Sequence, residues 1–175
     1  MAPPTSSPTT YAPNGLVCSV DHLASTAGVA MLRAGGTAAD GAIAANAVLA
    51  VVAPHLCGMG GDLFAIVHQG GPPEVLNASG RAGSGADPDR LRAEGHSVMP
   101  FRDDVRSAPV PGCVDGWLAL HERHGRLALP EVLAPAVGYA RDGFPASPLL
   151  AAMSPLLGDM VGGDDLKGVR PGANA

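Results

Sequence analysis

Aromatic residues are scarce in this sequence, which contains three Phe, two Tyr and one Trp among 175 residues. Hydrophobic residues still make up 46% of the chain and charged residues only 15%, a balance that excludes a disordered polypeptide. The length suffices for one domain with a real core. With so few aromatic rings, Ala, Val and Leu must fill that core, and the 24 glycines suit tight turns and close backbone contacts.

Clustered basic charge and long apolar runs are also missing. The net charge is −5 and the Lys and Arg residues are scattered, which argues against a nucleic-acid partner. The longest apolar stretch, residues 42–53, is interrupted by Asn46 and is too short to cross a membrane. Residues 1–10 lack the basic start and apolar centre of a secretory signal. We therefore expect a cytoplasmic protein without a membrane partner, unless a leader has been removed.

Few residues are suited to metal or redox chemistry. The three cysteines, Cys18, Cys57 and Cys113, form no C-x-x-C motif and are expected to be buried reduced thiols. His121 and His124 lie three positions apart on a predicted helix but have no third ligand nearby in sequence. A solvated, charged helix face is the favoured interpretation of that segment. We expect neither a metal nor a cofactor.

The apolar pattern predicts one domain over residues 15–161, between a flexible tail at 1–14 and a loose, glycine-rich tail at 162–175. The predicted strands are Leu16–Val20, Leu63–Val67 and Glu74–Ala78, of which the last two form a β-hairpin. A hairpin among so many apolar helices needs more sheet than this chain supplies. The pattern therefore indicates a mixed α/β fold that another chain completes.

Capping residues mark where the predicted helices begin. Asp21 caps the first helix, and Thr37 with Asp40 forms a capping box at the start of an alanine-rich second helix that ends before Pro54. Further helices are predicted after Asp87, after Pro111-Gly112 and from Pro130, and a last helical stretch over residues 148–161 is broken by Pro155.

The segment Cys57-Gly-Met-Gly-Gly-Asp62 is a glycine-rich turn. Backbone N–H groups in such turns can bind phosphate. A P-loop, however, requires Gly-Lys-Ser/Thr followed by a helix, whereas here Asp62 and a strand follow. We therefore interpret Gly58, Gly60 and Gly61 as a structural turn or the wall of an active site.

Arg81 is the candidate binding residue. It follows the second hairpin strand in Asn77-Ala-Ser-Gly-Arg-Ala82, among small residues that leave its guanidinium accessible. Two parallel hydrogen bonds from that group could hold a substrate carboxylate, although composition alone favours an ordinary surface arginine. The sequence contains no G-x-S-x-G motif and no Ser/His/Asp grouping that spacing supports.

Four segments in order resemble the γ-glutamyltransferase (γ-glutamyltranspeptidase) family. They are DHLASTAGVAMLRAGGTAAD at 21–40, CGMGGDLFAIV at 57–67, LNASGRA at 76–82, and the stretch beginning APVPGCVDGW over 108–147. The match runs from about residue 15 to residue 150 and indicates the amino-terminal part of the large subunit. The chain has about half the length of such a subunit, so the subunit is either abbreviated here or only partly present, with Ala175 as a possible cleavage edge.

The resemblance implies an α+β fold, the αββα sandwich of the N-terminal nucleophile hydrolases. It implies an autocleaved precursor and a partner small subunit that begins with the catalytic Thr, and it allows a dimer of such heterodimers. The freed α-amine then serves as the base for the threonine hydroxyl. Arg81 matches the family arginine that binds the substrate carboxylate, and no catalytic residue lies in this chain. Ala82-Gly83 after Arg81 departs from the family pattern.

Three functions follow as alternatives. The first is a γ-glutamyl hydrolase or acyltransferase acting through an acyl-enzyme on the partner's Thr. The second is a homologue in specialised metabolism that cleaves another amide, or a C–C bond in an antibiotic precursor pathway. The third is a binding or scaffold subunit without catalysis.

Overall fold

A computed structural model describes residues 9–100 and 104–158 of the chain. The helices are α1 (His22–Arg33), α2 (Ala38–Val52), α3 (Pro88–Ala93), α4 (Cys113–His124), α5 (Leu129–Asp142) and α6 (Pro148–Gly158), the strands are β1 (Leu63–Val67) and β2 (Glu74–Ala78), and a 3₁₀ turn covers Val105–Ser107. The predicted tails at 1–8 and 162–175 lie outside the described residues, and residues 9–14 are exposed coil.

Helix α2 forms the centre of the molecule and packs against α1, α4 and α5. Ile43, Val48 and Val52 on this helix are almost completely buried. Asn46, the polar residue in this apolar segment, accepts a 2.8 Å hydrogen bond from the indole nitrogen of Trp117 on α4. The prediction of a helix buried on most of its surface is confirmed, and its alanines let three helices approach it closely.

Helices α1 and α2 meet through glycine. A Cβ atom at Gly28 would lie 2.8 Å from the carbonyl oxygen of Gly41 and 2.7 Å from a methyl carbon of Val17. A Cβ at Gly41 would lie 3.2 Å from the carbonyl oxygen of Gly28. The two backbones therefore touch at a distance that only glycine permits, as expected for a core poor in large side chains.

The predicted starts of the first two helices are confirmed. The backbone N–H of Leu23 donates a 2.8 Å hydrogen bond to Asp21 at the start of α1. At the start of α2, Thr37 and Asp40 form the capping box, with hydrogen bonds of 3.3 Å and 2.7 Å.

Strands β1 and β2 form an antiparallel hairpin in which Leu63 pairs with Ala78 and Val67 with Glu74. The inner face of this hairpin packs against the core through Leu63, Ala65, Val67 and Leu76. Its outer face carries Phe64, Ile66 and Val75, which are 66%, 75% and 72% exposed. Alternation of apolar and polar residues along a strand predicts that only one face of the hairpin is buried. Because the second face is apolar as well, it indicates that another layer of protein packs on it.

The prediction of a strand at Leu16–Val20 is wrong for this chain. The segment is not part of a sheet, and no other segment within residues 9–100 and 104–158 pairs with its backbone. A strand exists only through its hydrogen-bonded neighbour, which apolar composition cannot supply. Cys18 lies on the outer side of this segment and is exposed, whereas Cys57 is half-buried and Cys113 is buried. The expectation of three buried thiols therefore holds only for Cys113, is met in part at Cys57 and fails at Cys18.

Pro155 does not break the last helix, which runs continuously from Pro148 to Gly158. A proline leaves the carbonyl oxygen four residues earlier without its helical N–H donor. Here the hydroxyl of Ser154 donates a 2.9 Å hydrogen bond to that oxygen, the carbonyl of Ala151. The predicted end at residue 161 lies outside the described residues. None of the described helices combines the length and hydrophobicity that crossing a membrane requires.

Candidate substrate-binding site

The loop after β2 presents Arg81. The side chain of Asn77 accepts a 3.1 Å hydrogen bond from the backbone N–H of Ser79, which turns the chain as β2 ends. Gly80 follows with φ of +81°, a conformation that favours glycine. The carbonyl oxygen of Arg81 then accepts a 2.9 Å hydrogen bond from the N–H of Val110. The backbone that carries Arg81 is thus held on both sides.

Two glycines bring this loop against the start of α4. A Cβ at Gly80 would collide with the carbonyl oxygen of Val110, and a Cβ at Gly112 would collide with that of Ala78 and lie 2.7 Å from the nitrogen of Gly80. Both obstacles are backbone atoms, which cannot rotate away as a side chain can. Glycine at both positions is therefore required for the loop to touch the helix start.

An open cleft of about 650 Å³ lies at this contact. Its lining comprises Asn77, Ala78, Ser79, Gly80, Arg81, Ala82, Val110, Pro111, Gly112 and Asp115. The Arg81 side chain is exposed and makes no hydrogen bond or ion pair with any residue in the described ranges. A guanidinium left without a partner in a cleft can bind a planar anion such as a carboxylate through two parallel hydrogen bonds.

Asp115 brings a negative charge to the same cleft, and reasoning from the sequence alone missed it. It lies in the first turn of α4, where a carboxylate also interacts favourably with the helix dipole. The only sequence signal is an acidic residue two positions after the Pro-Gly-Cys that starts the helix. A cleft lined by one cationic and one anionic side chain suits a ligand that carries both charges.

Among the residues that the structure describes, Ser79 is the one with a hydroxyl that lines the cleft, and none of the lining residues is a histidine. A serine hydroxyl is a weak nucleophile unless a base lies beside it. The cleft of this chain can therefore bind an acid group but has no activated nucleophile among its lining residues.

The glycine turn supports the cleft from behind. The carbonyl oxygen of Gly61 accepts hydrogen bonds from the N–H groups of Gly112 at 3.2 Å and Cys113 at 3.0 Å. Two N–H groups at the start of α4, which have no partner inside the helix, are satisfied in this way. Burial raises the pKa of the Cys113 thiol, and nearby Cys57 and Asp62 raise it further, so the thiol stays neutral.

A network of ion pairs holds the segment that returns to the cleft. Arg106 binds Asp104 at 2.6 Å and Glu94, at the end of α3, at 2.6 Å. Hydrogen bonds from the Arg106 side chain and backbone lower the pKa of Asp104 to about 2. This network orients the chain just before Val110, whose N–H binds the Arg81 carbonyl.

The two histidines of α4 do not form the solvated face that the sequence suggests. The Nε2 atom of His121 lies 2.8 Å from the Leu127 carbonyl oxygen, and Nδ1 of His124 lies 3.2 Å from the side-chain nitrogen of Gln69. Residues between them, Glu122 and Arg123, are exposed. The residues that the structure describes contain no group of three His, Cys, Asp or Glu placed to hold a metal.

Comparison with known proteins gives consistent results. The sequence profile described as Gamma-glutamyltranspeptidase matches residues 24–157. The chain is 45% identical over 134 residues to the glutathione hydrolase-like YwrD proenzyme of Bacillus subtilis, covering 75% of this chain and 25% of that protein. It is 39% identical over 140 residues to the oxamate amidohydrolase proenzyme of Klebsiella pneumoniae, covering 77% and 26%. The chain thus spans about a quarter of the length of these relatives.

The fold agrees with the sequence comparison. The gamma-glutamyltranspeptidase of Pseudomonas nitroreducens superposes with a TM-score of 0.79 at 29% identity, covering 93% of this chain and 50% of that one. The predicted α+β class and N-terminal nucleophile hydrolase fold are confirmed, with this chain supplying helices and a two-stranded part of the sheet. Sequence profile, curated relatives and solved structure all agree that the chain belongs to the gamma-glutamyltranspeptidase family, as an amino-terminal part of its large subunit.

Proposed function

We propose that this chain is the substrate-anchoring part of an autoprocessed hydrolase or acyltransferase that acts on γ-glutamyl amides. The observation that carries the proposal is the guanidinium of Arg81, which has no partner among the described residues and is presented in an open cleft by a backbone that glycine contacts hold in place. The nucleophile is a threonine at the start of a partner chain, which is consistent with a cleft whose lining includes no activated hydroxyl.

The proposed reaction divides the chemistry between two chains. Arg81 holds the substrate carboxylate, which fixes the distance from that group to the γ-amide. The partner's threonine hydroxyl attacks the amide carbonyl, and its proton passes to the α-amine of the same threonine. The C–N bond then breaks, the substrate amine leaves with that proton, and the acyl group stays on the threonine oxygen as an ester. Water, or an acceptor amine, then attacks the resulting ester and releases the acyl group. Positioning through Arg81 makes the attack effectively intramolecular.

The position of Asp115 favours a substrate that has the charges of an amino acid. A γ-glutamyl compound carries an α-carboxylate and an α-ammonium next to each other, whereas a glutaryl compound carries only the carboxylate. A cleft lined by both Arg81 and Asp115 has a partner for each charge. Opposite charges aligned in this way favour the zwitterion over an anion of similar length.

The outer face of the hairpin is a second argument for a partner chain. Phe64, Ile66 and Val75 expose large apolar side chains on one side of a two-stranded sheet. Such a hairpin is only marginally stable by itself, and a contiguous apolar face of this kind marks an interaction surface. Packing of the partner's sheet on this face would complete the sandwich, and pairs of such heterodimers could associate further.

The proposal is tested on the full-length protein. Amino-terminal sequencing of any chain that co-purifies should find Thr as its first residue. The assembly should cleave a γ-glutamyl anilide faster than the matching glutaryl anilide. Arg81→Ala should raise KM by roughly tenfold to a hundredfold while leaving the two-chain pattern unchanged, because it removes a charge-assisted contact to substrate only.

Arg81→Lys is the matched control, because it keeps the positive charge and loses the planar guanidinium. Its KM should lie between that of the wild type and that of Arg81→Ala. An unchanged KM in Arg81→Ala would contradict the role of this residue. If no second chain is present and neither anilide is cleaved, the scaffold alternative replaces the enzyme.

One observation favours a second candidate. A relative with 39% identity is an oxamate amidohydrolase proenzyme, and the Ala82-Gly83 pair departs from the family pattern after the arginine. Hydrolysis of a different amide next to a carboxylate would use Arg81 in the same way. Cleavage of oxamate in preference to both anilides would establish this second candidate function. The C–C bond alternative and the cytoplasmic location stay predictions.

A further inference from the structure

The chain leaves the cleft after Arg81 and returns to it at Val110, through a segment of residues 82–109 that contains α3 and the 3₁₀ turn. Where the segment closes, the N–H of Val110 donates a 2.9 Å hydrogen bond to the carbonyl oxygen of Arg81. None of its described residues belongs to the apolar core cluster, although Leu91 on α3 is buried outside that cluster. A segment with so little apolar packing needs another restraint to keep it from opening locally.

Arg106 supplies that restraint by joining the two halves of the 82–109 segment. Its Nε and Nη2 atoms donate hydrogen bonds to the two carboxylate oxygens of Asp104, at 2.9 Å and 2.6 Å. Its Nη1 atom donates a 2.6 Å hydrogen bond to Glu94. Glu94 ends α3 in the outgoing half, whereas Asp104 and Arg106 lie in the half that returns to the cleft.

This ion pair differs from the exposed pairs that contribute little to stability. The side chains of Arg106 and Asp104 are 30% and 19% exposed, whereas those of Arg92 and Asp89 on α3 are 70% and 91% exposed. Two parallel hydrogen bonds also fix the relative orientation of Arg106 and Asp104. Because hydrogen bonds from Arg106 lower the pKa of Asp104 to about 2 and also lower the pKa of Glu94, both carboxylates are charged at neutral pH.

The backbone between Arg106 and the cleft has little freedom to rotate. The N–H of Ala108 donates a 3.1 Å hydrogen bond to the carbonyl oxygen of Val105, which closes the 3₁₀ turn around Arg106. Pro109 follows, and its ring fixes φ near about −65°. Val110 is the next residue. The position of Arg106 therefore determines where the N–H of Val110 meets the carbonyl of Arg81.

We propose that Arg106 is a positioning residue for substrate binding. It holds Val110 against the backbone of Arg81, which keeps the Arg81 guanidinium in the orientation that two parallel hydrogen bonds to a carboxylate require. Such a bidentate contact is sensitive to small displacements, because both hydrogen bonds weaken as their angles change. Arg106 does not line the cleft and acts only through Arg81. This inference rests on the proposed function and extends it to a residue outside the cleft.

The test measures kinetics of the full-length protein with a γ-glutamyl anilide. Arg106→Ala should raise KM by about threefold to thirtyfold, the range expected for a residue that acts through another. It should change kcat by less than about twofold, because no group near the reacting atoms is removed. Arg106→Lys keeps the positive charge without the planar guanidinium, so its KM should lie between those of the wild type and Arg106→Ala.

Arg92→Ala is the matched control. Arg92 lies in the same segment and binds Asp89 at 2.7 Å, but both residues belong to α3, so this pair does not join the two halves. Its loss should leave KM and kcat unchanged. Glu94→Gln keeps the shape of the side chain and leaves the Asp104 contact intact. It should raise KM in the same direction as Arg106→Ala, and it carries the test if Arg106→Ala does not fold, which circular dichroism checks.

A double-mutant cycle distinguishes positioning from a general loosening of the fold. In the Arg81→Ala background, Arg106→Ala should raise KM no further, because the guanidinium that it positions is already absent. A full additional increase in that background overturns the inference. So does a KM in Arg106→Ala and Glu94→Gln equal to that in Arg92→Ala, and both results leave the proposed function standing. If Arg81→Ala itself leaves KM unchanged, or the wild type does not cleave the anilide, the proposed function and this inference both fail.

Discussion

Gly112 lies where the loop after β2 and the start of α4 touch through their backbones. Its φ of −106° and ψ of −13° are accessible to alanine, so only the space around it argues for glycine. The Gly80 nitrogen would be 2.7 Å from an added Cβ, and the Ala78 carbonyl would be closer still. A methyl group at this position must displace the loop that carries Arg81.

We expect Gly112→Ala to lower the free energy of unfolding by about 1–3 kcal/mol, the usual cost of forcing an extra carbon into a packed site. Because the displaced loop carries Arg81, KM should rise as well. Urea unfolding followed by circular dichroism, and kinetics on the assembled protein, measure the two effects.

Gly138→Ala is the control, and it should change the free energy of unfolding in the opposite direction. Gly138 lies within α5, has no positive φ, and has no atom within 4 Å of an added Cβ. Alanine should stabilise that helix by roughly 0.5–1 kcal/mol. If Gly112→Ala proves as stable as the wild type, the close contact between loop and helix start is not present in solution.

Residues of the site were predictable to different degrees. Arg81 was identified because its neighbours match a family segment, and the match was needed to distinguish it from an ordinary surface arginine. Asp115 was missed because an acidic residue in a first helix turn is common and signals nothing by itself. Its significance comes from sharing a cleft with a residue 34 positions earlier (115 minus 81).

At the scale of elements, Asp40 does more than the capping box requires. It is completely buried, and besides Thr37 it accepts hydrogen bonds from the backbone N–H groups of Arg126 at 3.0 Å and Leu127 at 3.4 Å. Burial by itself raises the pKa of this carboxyl, but the hydrogen bonds from Thr37, Arg126 and Leu127 together outweigh burial and lower it. One side chain thus joins the start of α2 to the loop between α4 and α5.

Asp40→Asn should therefore destabilise the protein by roughly 1.5–3 kcal/mol at neutral pH, because an amide cannot accept all these bonds as a charged carboxylate does. Asp21→Asn is the control, since asparagine caps a helix as well as aspartate. Urea unfolding of both variants measures the difference. Equal stability of the two would contradict the linking role of Asp40.

The pH dependence follows from the same lowered pKa. The contribution of Asp40 to stability is fully present above the ordinary carboxyl pKa of 3.8 and is lost as the pH falls through the lower folded value. Acid unfolding of the wild type should be steeper below pH 3.8 than that of Asp40→Asn. Identical slopes would mean that the carboxyl titrates in the folded state as it does in the unfolded chain.

At the scale of the whole molecule, the outer face of the hairpin is the feature that this chain leaves incomplete. Ile66→Lys should reduce the two-chain assembly markedly, because burying an isoleucine contributes about 1.5–3 kcal/mol and a buried lysine costs more. Val98→Lys is the control, since Val98 is 76% exposed against 75% for Ile66 and lies outside the hairpin. Native mass spectrometry of both variants gives the ratio of assembled to single chains.

If Ile66→Lys assembles as well as Val98→Lys, no partner covers the hairpin there. That result would remove the physical basis for a sandwich completed on the outer face of the hairpin.

Local chemistry determined much of the molecule. Helix caps such as Asp21 and the Thr37–Asp40 box act within four residues, and alternation over five residues defines β1 and β2, so all of these were predictable. Prediction failed where a structure depends on a partner elsewhere in the fold. No described segment pairs with Leu16–Val20 as a neighbouring strand, and Ser154 satisfies the carbonyl that Pro155 leaves free.

Tertiary structure alone decided the cleft and its supports. Val110 binds the carbonyl of Arg81 from 29 positions away (110 minus 81), and Asp40 binds the N–H of Arg126 from 86 positions away. Such contacts depend on how the elements pack, and no spacing rule within a helix or a strand anticipates them. The sequence by itself therefore established the elements and, through family resemblance, one anchoring residue, while packing decided which residues share its cleft.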